Sequence, residues 1–238
     1  MPQFKFLALI LSFHLSAKAE SVLICNDEDD KSKIANAVCI FSKPLLVGAS
    51  LTQGQGANPG GPVSLIAESL SPGARINNIA QSGTKSVDSL KDHTIPSEKP
   101  SIVIGMDLFF WDAVKNDCDV NFEKSTKKFI KLYQKKNIPM ILGKLAKNIP
   151  FPAGYRLLNN SICTDKINKL LEEECTSDKN CIIYDPKDCF SKMEQEKWNL
   201  YFVDKLHLSL EGNKFCANEF IASRKYQKLK CQSTHLVR

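Results

Sequence analysis

Short, nearly continuous apolar runs alternate along this chain with amphipathic stretches, and this alternation limits the fold more than any other feature of the sequence. Strands that are buried on both faces have such runs, and amphipathic helices connect them when they lie parallel in one sheet. We therefore predict an α/β fold built on an open parallel sheet. The predicted strands cover five runs, at 44–49, 76–80, 101–106, 138–145 and 181–184.

The stretches between and after the strands predict four helices, at 62–70, 120–136, 162–174 and 210–222. Pro62 falls in a first turn, where proline is tolerated, and Ser209 is of the type that caps a helix N-terminus. The segment 84–99 is less periodic. We predict a loop there that contains at most a short helix.

The first residues have the pattern of an export signal. Lys5 supplies a positive charge, residues 6–15 form a short apolar run, and Ala17 and Ala19 give a small-x-small cleavage site. The run is too short to span a bilayer as a stop-transfer helix. We predict that residues 1–19 are a cleaved signal peptide and that the product is secreted or periplasmic.

An uncleaved membrane anchor is the alternative, because His14 interrupts the apolar run. No later part of the sequence resembles a transmembrane segment. Residues 20–238 can bury a sizeable core and contain no Pro/Ser-rich linker or repeat, so we expect one domain and a monomer. Lysines concentrate at 124–136 and 224–230 in a chain of formal net charge +6. We interpret them as solvated helix faces rather than a docking surface for nucleic acid or another anionic polymer.

All nine cysteines lie beyond the predicted cleavage site, so each would meet an oxidising compartment and structural disulfides are expected. An odd number leaves one thiol without a partner within the chain. A zinc site is the alternative, but no CxxC pair occurs and the later histidines are scattered. Sequence does not determine connectivity, and local spacing favours Cys175 with Cys181, Cys25 with Cys39, and Cys216 with Cys231.

Three residues near the predicted carboxyl edge of the sheet, where open parallel sheets carry their functional groups, have the chemistry of a serine hydrolase. Ser50 follows the first predicted strand in a turn of small residues. Asp204 and His207 lie three positions apart, so the carboxylate can accept from one imidazole nitrogen and leave the other facing a serine. The alternatives are a capping serine and an exposed histidine beside a helix cap. Asp185 and Asp188 are alternative partners for the imidazole.

The order and spacing of these residues resemble the SGNH, or GDSL-like, hydrolases. The family's Gly-Asp-Ser-Leu block is similar to residues 48–51 (Gly-Ala-Ser-Leu), its second-block glycine to Gly83, and its final Asp-x-x-His to residues 204–207 (Asp-Lys-Leu-His). The resemblance implies a flavodoxin-like three-layer α/β/α sandwich with a five-stranded parallel sheet. It also implies a triad of Ser50 with the acid and base of the last block, and an oxyanion hole with the N–H groups of Ser50 and Gly83.

The activity that the resemblance implies is hydrolysis of a carboxylic ester through an acyl-enzyme, without a metal or organic cofactor. Lipid esters, O-acetyl groups on glycans and small acyl esters all remain open as substrates. One block departs from the family, because its Gly-x-Asn-Asp aligns with residues 105–108 (Gly-Met-Asp-Leu). The family's asparagine completes the oxyanion hole with its amide, whereas an ionised Asp107 has no proton to donate.

Three explanations of this departure stay open. Asp107 is held protonated beside the aromatic residues 109–111, the two backbone donors suffice, or the domain no longer catalyses. If the alignment is correct, Asp107→Asn should preserve or raise the rate. The runner-up function is a catalytically weak or inactive module of the same fold that binds a carbohydrate or a protein partner. We expect the glycine-rich segment 54–61 to form a wall of the cleft.

Overall fold

The computed structural model describes residues 28–56, 59–91, 98–149, 153–176 and 180–232. The predicted signal peptide, residues 1–19, lies outside these ranges, and so does Cys25. Cleavage of the signal therefore stays a prediction.

The five predicted strands are present, with β5 as long as its apolar run and the others shorter. They are β1 (Pro44–Leu46), β2 (Asn77–Asn78), β3 (Ile102–Gly105), β4 (Met140–Gly143) and β5 (Cys181–Tyr184). All pairs are parallel, and the strand order is β2-β1-β3-β4-β5. This is the predicted flavodoxin-like sheet. The chain leaves β1 first towards one edge of the sheet and then crosses to the other, which opens a crevice at the carboxyl ends of β1 and β3.

Ten α-helices lie in the described part of the chain. They are α1 (Glu28–Ile40), α2 (Ser50–Gln53), α3 (Gly61–Leu70), α4 (Ser86–Lys91), α5 (Phe110–Val114), α6 (Val120–Lys135), α7 (Cys163–Thr176), α8 (Lys187–Phe190), α9 (Trp198–Tyr201) and α10 (Leu210–Ser223). The four predicted helices are confirmed as α3, α6, α7 and α10. The short helix α4 lies in the segment 84–99, where the sequence predicts a loop with at most a short helix.

Helices cover both faces of the sheet because successive strand residues point to opposite sides. Val103 of β3 packs in a core with α5, α6 and α7, where Ile130 is fully buried. Its neighbours Ile102 and Ile104 pack on the other face with α1, α3 and α10, where Phe220 is buried. The predicted three-layer α/β/α sandwich is therefore confirmed.

Side-chain caps fix where the two amphipathic helices next to the carboxyl edge begin. Asp119 accepts a hydrogen bond of 2.9 Å from the N–H of Phe122 at the start of α6. Ser209 accepts one of 3.1 Å from the N–H of Gly212 at the start of α10, as predicted. Each bond satisfies an N–H group that has no partner within the first turn of its helix.

The expectation of structural disulfides is confirmed, but two of the three predicted pairings are wrong. The local pair Cys175–Cys181 is present. Cys25 does not pair with Cys39, nor Cys216 with Cys231, because the crossovers of the fold bring cysteines together that are distant in sequence. The other three disulfides are Cys39–Cys231, Cys118–Cys163 and Cys189–Cys216.

Candidate active site

Ser50 lies where the chain turns sharply from β1 into α2. It is the first residue of α2 and is only 4% exposed. The helix ends after one turn at Gly54, whose φ of 101° suits a residue without a Cβ atom. This turn places Ser50 at the carboxyl edge of the sheet, where the sequence predicts it.

The carboxylate of Asp107 lies directly behind this turn. One of its oxygens, Oδ1, accepts from the N–H of Ala49 at 3.0 Å and from the hydroxyl of Thr52. The other, Oδ2, accepts from the N–H of Leu51 at 2.8 Å and from the N–H of Thr52 at 3.3 Å. Both oxygens of Asp107 are therefore engaged with the turn that carries Ser50.

A glycine before the turn makes this approach possible. A Cβ atom on Gly48 would overlap with Oδ1 of Asp107 and would lie 2.7 Å from the hydroxyl oxygen of Thr52. Burial raises the pKa of the Asp107 carboxyl above its ordinary value, and the hydrogen bonds from Thr52, Ala49 and Leu51 counteract this rise.

Two backbone N–H groups in the loops at this edge of the sheet have no acceptor within the described ranges. Asp107 takes the N–H groups before and after Ser50 but not that of Ser50 itself. Within the described ranges, the N–H groups of Ser50 and Gly83 donate to no acceptor. Gly83 has a φ of 71°, which is the left-handed conformation that favours glycine. These are the two backbone groups that the sequence predicts for an oxyanion hole.

Hydrogen bonds join the loop that carries Gly83 to the turn that carries Ser50. The N–H of Gln81 donates to the carbonyl of Gly48 at 3.0 Å. The N–H of Ser82 donates to the side-chain oxygen of Gln53, in α2, at 2.9 Å. Two hydrogen bonds thus hold the second and first predicted blocks at one edge of the sheet.

Asp204 and His207 form a hydrogen-bonded pair in the loop before α10. Nδ1 of His207 lies 2.7 Å from Oδ2 of Asp204, and Oδ1 of Asp204 accepts from the N–H groups of Leu206 and His207, both at 2.7 Å. Partial burial opposes ionisation of Asp204. The hydrogen bonds from His207 and Leu206 outweigh this effect and lower the pKa of the carboxyl.

The loop of His207 packs against the chain that follows α2. Phe202 and Leu208 form an antiparallel bridge that closes the loop. A Cβ atom on Gly56 would lie 3.2 Å from the Cβ of His207 and 3.2 Å from a methyl of Val203. The part of segment 54–61 that the structure describes therefore lies beside His207, and its role as a cleft wall stays a prediction.

The second imidazole nitrogen is buried and unpaired. Nε2 of His207 makes no hydrogen bond to Ser50 or to any other residue of the described chain. The two predicted alternatives to Asp204 are engaged elsewhere, since Asp185 accepts from the N–H of Lys187 and Asp188 forms an ion pair with Lys225. The structure thus pairs His207 with Asp204, and direct contact of His207 with Ser50 stays a prediction.

The aromatic residues after β3 are mainly core. Phe109 and Phe110 are buried, and their rings lie edge-on to Phe122 at 6.0 Å and to Tyr155 at 5.5 Å. Trp111 is partly exposed and lies 5.6 Å from the ammonium of Lys115. Phe109 and Phe110 therefore belong to the core, and Trp111 packs at its rim.

A second buried carboxylate lies five residues beyond Asp107. Asp112 accepts from the N–H of Ser86 at 2.8 Å and from its hydroxyl at 3.0 Å, at the start of α4. Burial raises the pKa of Asp112 to about 6, although both bonds from Ser86 counteract the rise. Asp112 therefore holds the helix that follows the Gly83 loop.

Sequence reasoning did not assign a role to Thr52 or Gln53. Both contact the loops of the site through bonds that exist only once β1, β2 and β3 are adjacent. The sequence shows only a threonine two residues after Ser50, and neither its burial nor its bond to Asp107 can be read from it. Of the residues described, no helix is both long and apolar enough to cross a membrane, and no group of three or more His, Cys, Asp and Glu could hold a metal ion.

Several solved structures share this architecture. A member of the lipolytic protein G-D-S-L family from Veillonella parvula aligns with a TM-score of 0.54, covering 76% of this chain and 96% of that protein, at 15% identity. The chain has the G-D-S-L fold. The psychrotrophic esterase EstA from Pseudoalteromonas sp. has this fold too and aligns at 18% identity with a TM-score of 0.55, over 77% of this chain and 97% of EstA.

Another protein with a similar structure is Axe2, an acetyl xylan esterase from Geobacillus stearothermophilus, at 16% identity with a TM-score of 0.52 over 78% of this chain and 95% of Axe2. No family model matches the sequence, and no curated protein matches it. The likeness to G-D-S-L proteins is therefore one of fold.

Proposed function

We propose that this chain is an exported serine esterase that hydrolyses carboxylic esters, with Ser50 as nucleophile, His207 as base and Asp204 as its partner. One observation carries the proposal. Asp204 holds Nδ1 of His207, while Nε2 is unpaired within the described chain and its loop packs against the segment that follows α2. An imidazole held in this way is ready to accept a proton.

In each half of the reaction, His207 accepts a proton and then donates it. Oγ of Ser50 attacks the ester carbonyl carbon while Nε2 takes its proton, and the alcohol leaves with that proton from the imidazolium. A water molecule then loses a proton to Nε2 and attacks the acyl-enzyme, which releases the carboxylic acid and returns the proton to Ser50. Asp204 stabilises the imidazolium during both steps.

The N–H groups of Ser50 and Gly83 would stabilise the oxyanion. Neither has an acceptor among the residues that the structure describes, so both are free to donate. A single oxyanion donor contributes about 10²- to 10³-fold to turnover, and an esterase with two backbone donors remains an effective catalyst. An oxyanion role for Asp107, as expected from the sequence, would require one of its oxygens to leave the turn.

Export is supported by the four disulfides, since oxidising compartments maintain such bonds. The predicted signal at 1–19 agrees with this location. Known neighbours of the same fold include an esterase and an acetyl xylan esterase, which supports acyl and O-acetyl esters as substrate classes.

Labelling with a fluorophosphonate tests the proposal, because only an activated serine reacts. EstA, which has the same fold, was solved in a form inhibited by monoethylphosphonate. We expect the wild-type chain to be labelled, Ser50→Ala to be unlabelled, and the surface variant Ser191→Ala to be labelled as the wild type is. Nitrophenyl esters of graded acyl length, hydrolysed by the same three proteins, would then define the acyl group.

The alternative is a non-catalytic binding module, and Asp107 is the observation that favours it, because a carboxylate stands where an amide donor is expected. A folded wild-type chain that the fluorophosphonate does not label would support the binding module and contradict the esterase. Binding to glycans would then be the next measurement.

A further inference from the structure

We propose that Asp107 is a positioning residue that holds the nucleophile turn as a hydrogen-bond acceptor, and that the reaction depends on this role. The inference rests on the proposed esterase function. It assigns to Asp107 a part in the reaction that differs from donation to the oxyanion.

The first argument is the direction of the hydrogen bonds. Asp107 receives the N–H groups of Ala49, Leu51 and Thr52 and the hydroxyl of Thr52, so every bond that it makes to the turn is one that it accepts. Accepted bonds from backbone N–H groups to a carboxylate are among the strong ones in proteins.

The second argument is selectivity within the turn. The residues on both sides of Ser50 donate to Asp107, whereas the N–H of Ser50 has no acceptor in the described chain. Because Asp107 holds the residues on both sides of Ser50, it also fixes the direction of the N–H of Ser50. A donor for an oxyanion must be oriented in advance, because reorientation during the reaction costs part of its effect.

The third argument is steric. Gly48 has no side chain at the point where a Cβ would overlap with Oδ1 of Asp107, so the backbone of the turn closes onto the carboxylate. Asp107 is only 7% exposed, and water cannot easily replace it as the acceptor.

An amide cannot serve in the same place. If the amide nitrogen introduced by Asp107→Asn took the position of Oδ1, it would face the N–H of Ala49; at the position of Oδ2 it would face those of Leu51 and Thr52. An amide nitrogen donates and does not accept, so either orientation leaves at least one backbone N–H of the turn without its acceptor.

The main experiment compares Asp107→Asn with Asp112→Asn as a matched control. Asp112 is also a buried carboxylate after β3, but its partners are one N–H and one hydroxyl, and the hydroxyl of Ser86 can reverse its role to accept from an amide. We expect Asp107→Asn to slow fluorophosphonate labelling at least about tenfold per folded molecule, and Asp112→Asn to stay within about twofold of wild type.

Substitutions at Thr52 test the same set of hydrogen bonds to Asp107 with a smaller change. Thr52→Val removes one of the four donors to Asp107 at nearly constant shape, whereas Thr52→Ser keeps the hydroxyl. We expect a loss of about threefold to tenfold in labelling rate for Thr52→Val and less than about twofold for Thr52→Ser. Thermal unfolding of each variant separates a loss of rate from a loss of folded protein.

Hydrogen exchange keeps this inference separate from the esterase proposal. The amide protons of Ala49, Leu51 and Thr52 should exchange slowly in wild type, and at least one of them should exchange faster in Asp107→Asn, whether or not Ser50 reacts. An Asp107→Asn variant that is labelled as fast as wild type or faster, as the sequence alone suggested, would overturn the inference. So would unchanged protection of the three amides. A wild-type chain that is never labelled would instead overturn the esterase function.

Discussion

At the scale of single residues, two buried carboxylates close together in sequence accept hydrogen bonds from different parts of the fold. Asp107 accepts from three backbone N–H groups, and Asp112 from one. Motif spacing predicted where Ser50, Asp204 and His207 lie. It could not predict the bonds of Asp107, because they depend on β1 and β3 lying side by side.

The proposed role of Asp204 as the partner of His207 can be tested directly. Asp204→Asn should lower the labelling rate of Ser50 by about 10²- to 10⁴-fold, because an amide does not stabilise the imidazolium or select the correct tautomer. Asp188→Asn, which removes the partner of Lys225, is the matched control and should stay within about twofold. Equal losses in both variants would show that Asp204 is not the specific partner. Labelling kinetics with circular dichroism as the folding check provide the measurement.

The buried Asp112 predicts a pH dependence of stability. Its pKa is raised to about 6 in the folded chain from an ordinary value of 3.8, so the folded state holds the proton more tightly. Protonated Asp112 therefore stabilises the folded state, fully at pH values below the ordinary pKa, and this stabilisation is lost as the pH rises through 6. The loss lowers the free energy of unfolding by about 3 kcal/mol.

Asp112→Asn keeps both bonds to Ser86 and does not titrate. The free energy of unfolding of this variant, minus that of wild type, should therefore rise by up to about 3 kcal/mol between pH 4 and pH 7. Urea unfolding across this range measures it, with Asp165→Asn on the surface as the control. A difference that does not change with pH would contradict the prediction.

At the scale of secondary-structure elements, the helices with a clear apolar period were predictable and the short ones were not. In α6, for example, Phe122, Phe129 and Tyr133 recur on one face and are buried. Helices of four or five residues, such as α2 and α9, have no period to detect and depend on tertiary bonds. The helix α1 escaped prediction because it begins with charged residues and buries only its last turns.

The start of α10 predicts a sensitive packing contact. A Cβ on Gly212 would overlap with the carbonyl oxygen of Tyr201 and lie 2.9 Å from a methyl of Leu208. Gly212→Ala should lower the free energy of unfolding by about 1–3 kcal/mol and displace the His207 loop, which lowers the labelling rate as well. The exposed Asn218→Ala, on the same helix, should change stability by less than about 0.5 kcal/mol. Urea unfolding and labelling check both, and a Gly212→Ala variant as stable as wild type would contradict this contact.

At the scale of the whole molecule, the disulfides join parts of the chain that the fold brings together. Local spacing correctly predicted only Cys175–Cys181, six residues apart. The link Cys39–Cys231 spans 192 residues, and no sequence pattern indicates it, because it follows from α1 and the segment after α10 meeting beside the sheet. Asn36 supports this contact by accepting from the N–H of Cys231 at 2.9 Å.

Removing these two disulfides should have unequal effects. Closing a long loop restricts the unfolded chain more than closing a short one, so replacing Cys39 and Cys231 by Ala should cost up to about 5 kcal/mol, against about 2 kcal/mol for Cys175 and Cys181. Urea unfolding of the two double variants measures the difference. Equal losses, or a larger one for the short loop, would show that the native contacts rather than loop length set the effect.

The position of the Cys39–Cys231 link has a practical consequence. Cys39 and Cys231 lie with Lys43, Ser101 and Pro139 where β1, β3 and β4 begin, at the edge opposite the end of β1 where Ser50 stands. The described chain thus leaves its fold, after α10, at the side of the sheet away from Ser50. A solid support or fluorescent reporter coupled after Cys231 would be anchored on that side and leave the edge that carries Ser50 open to solvent.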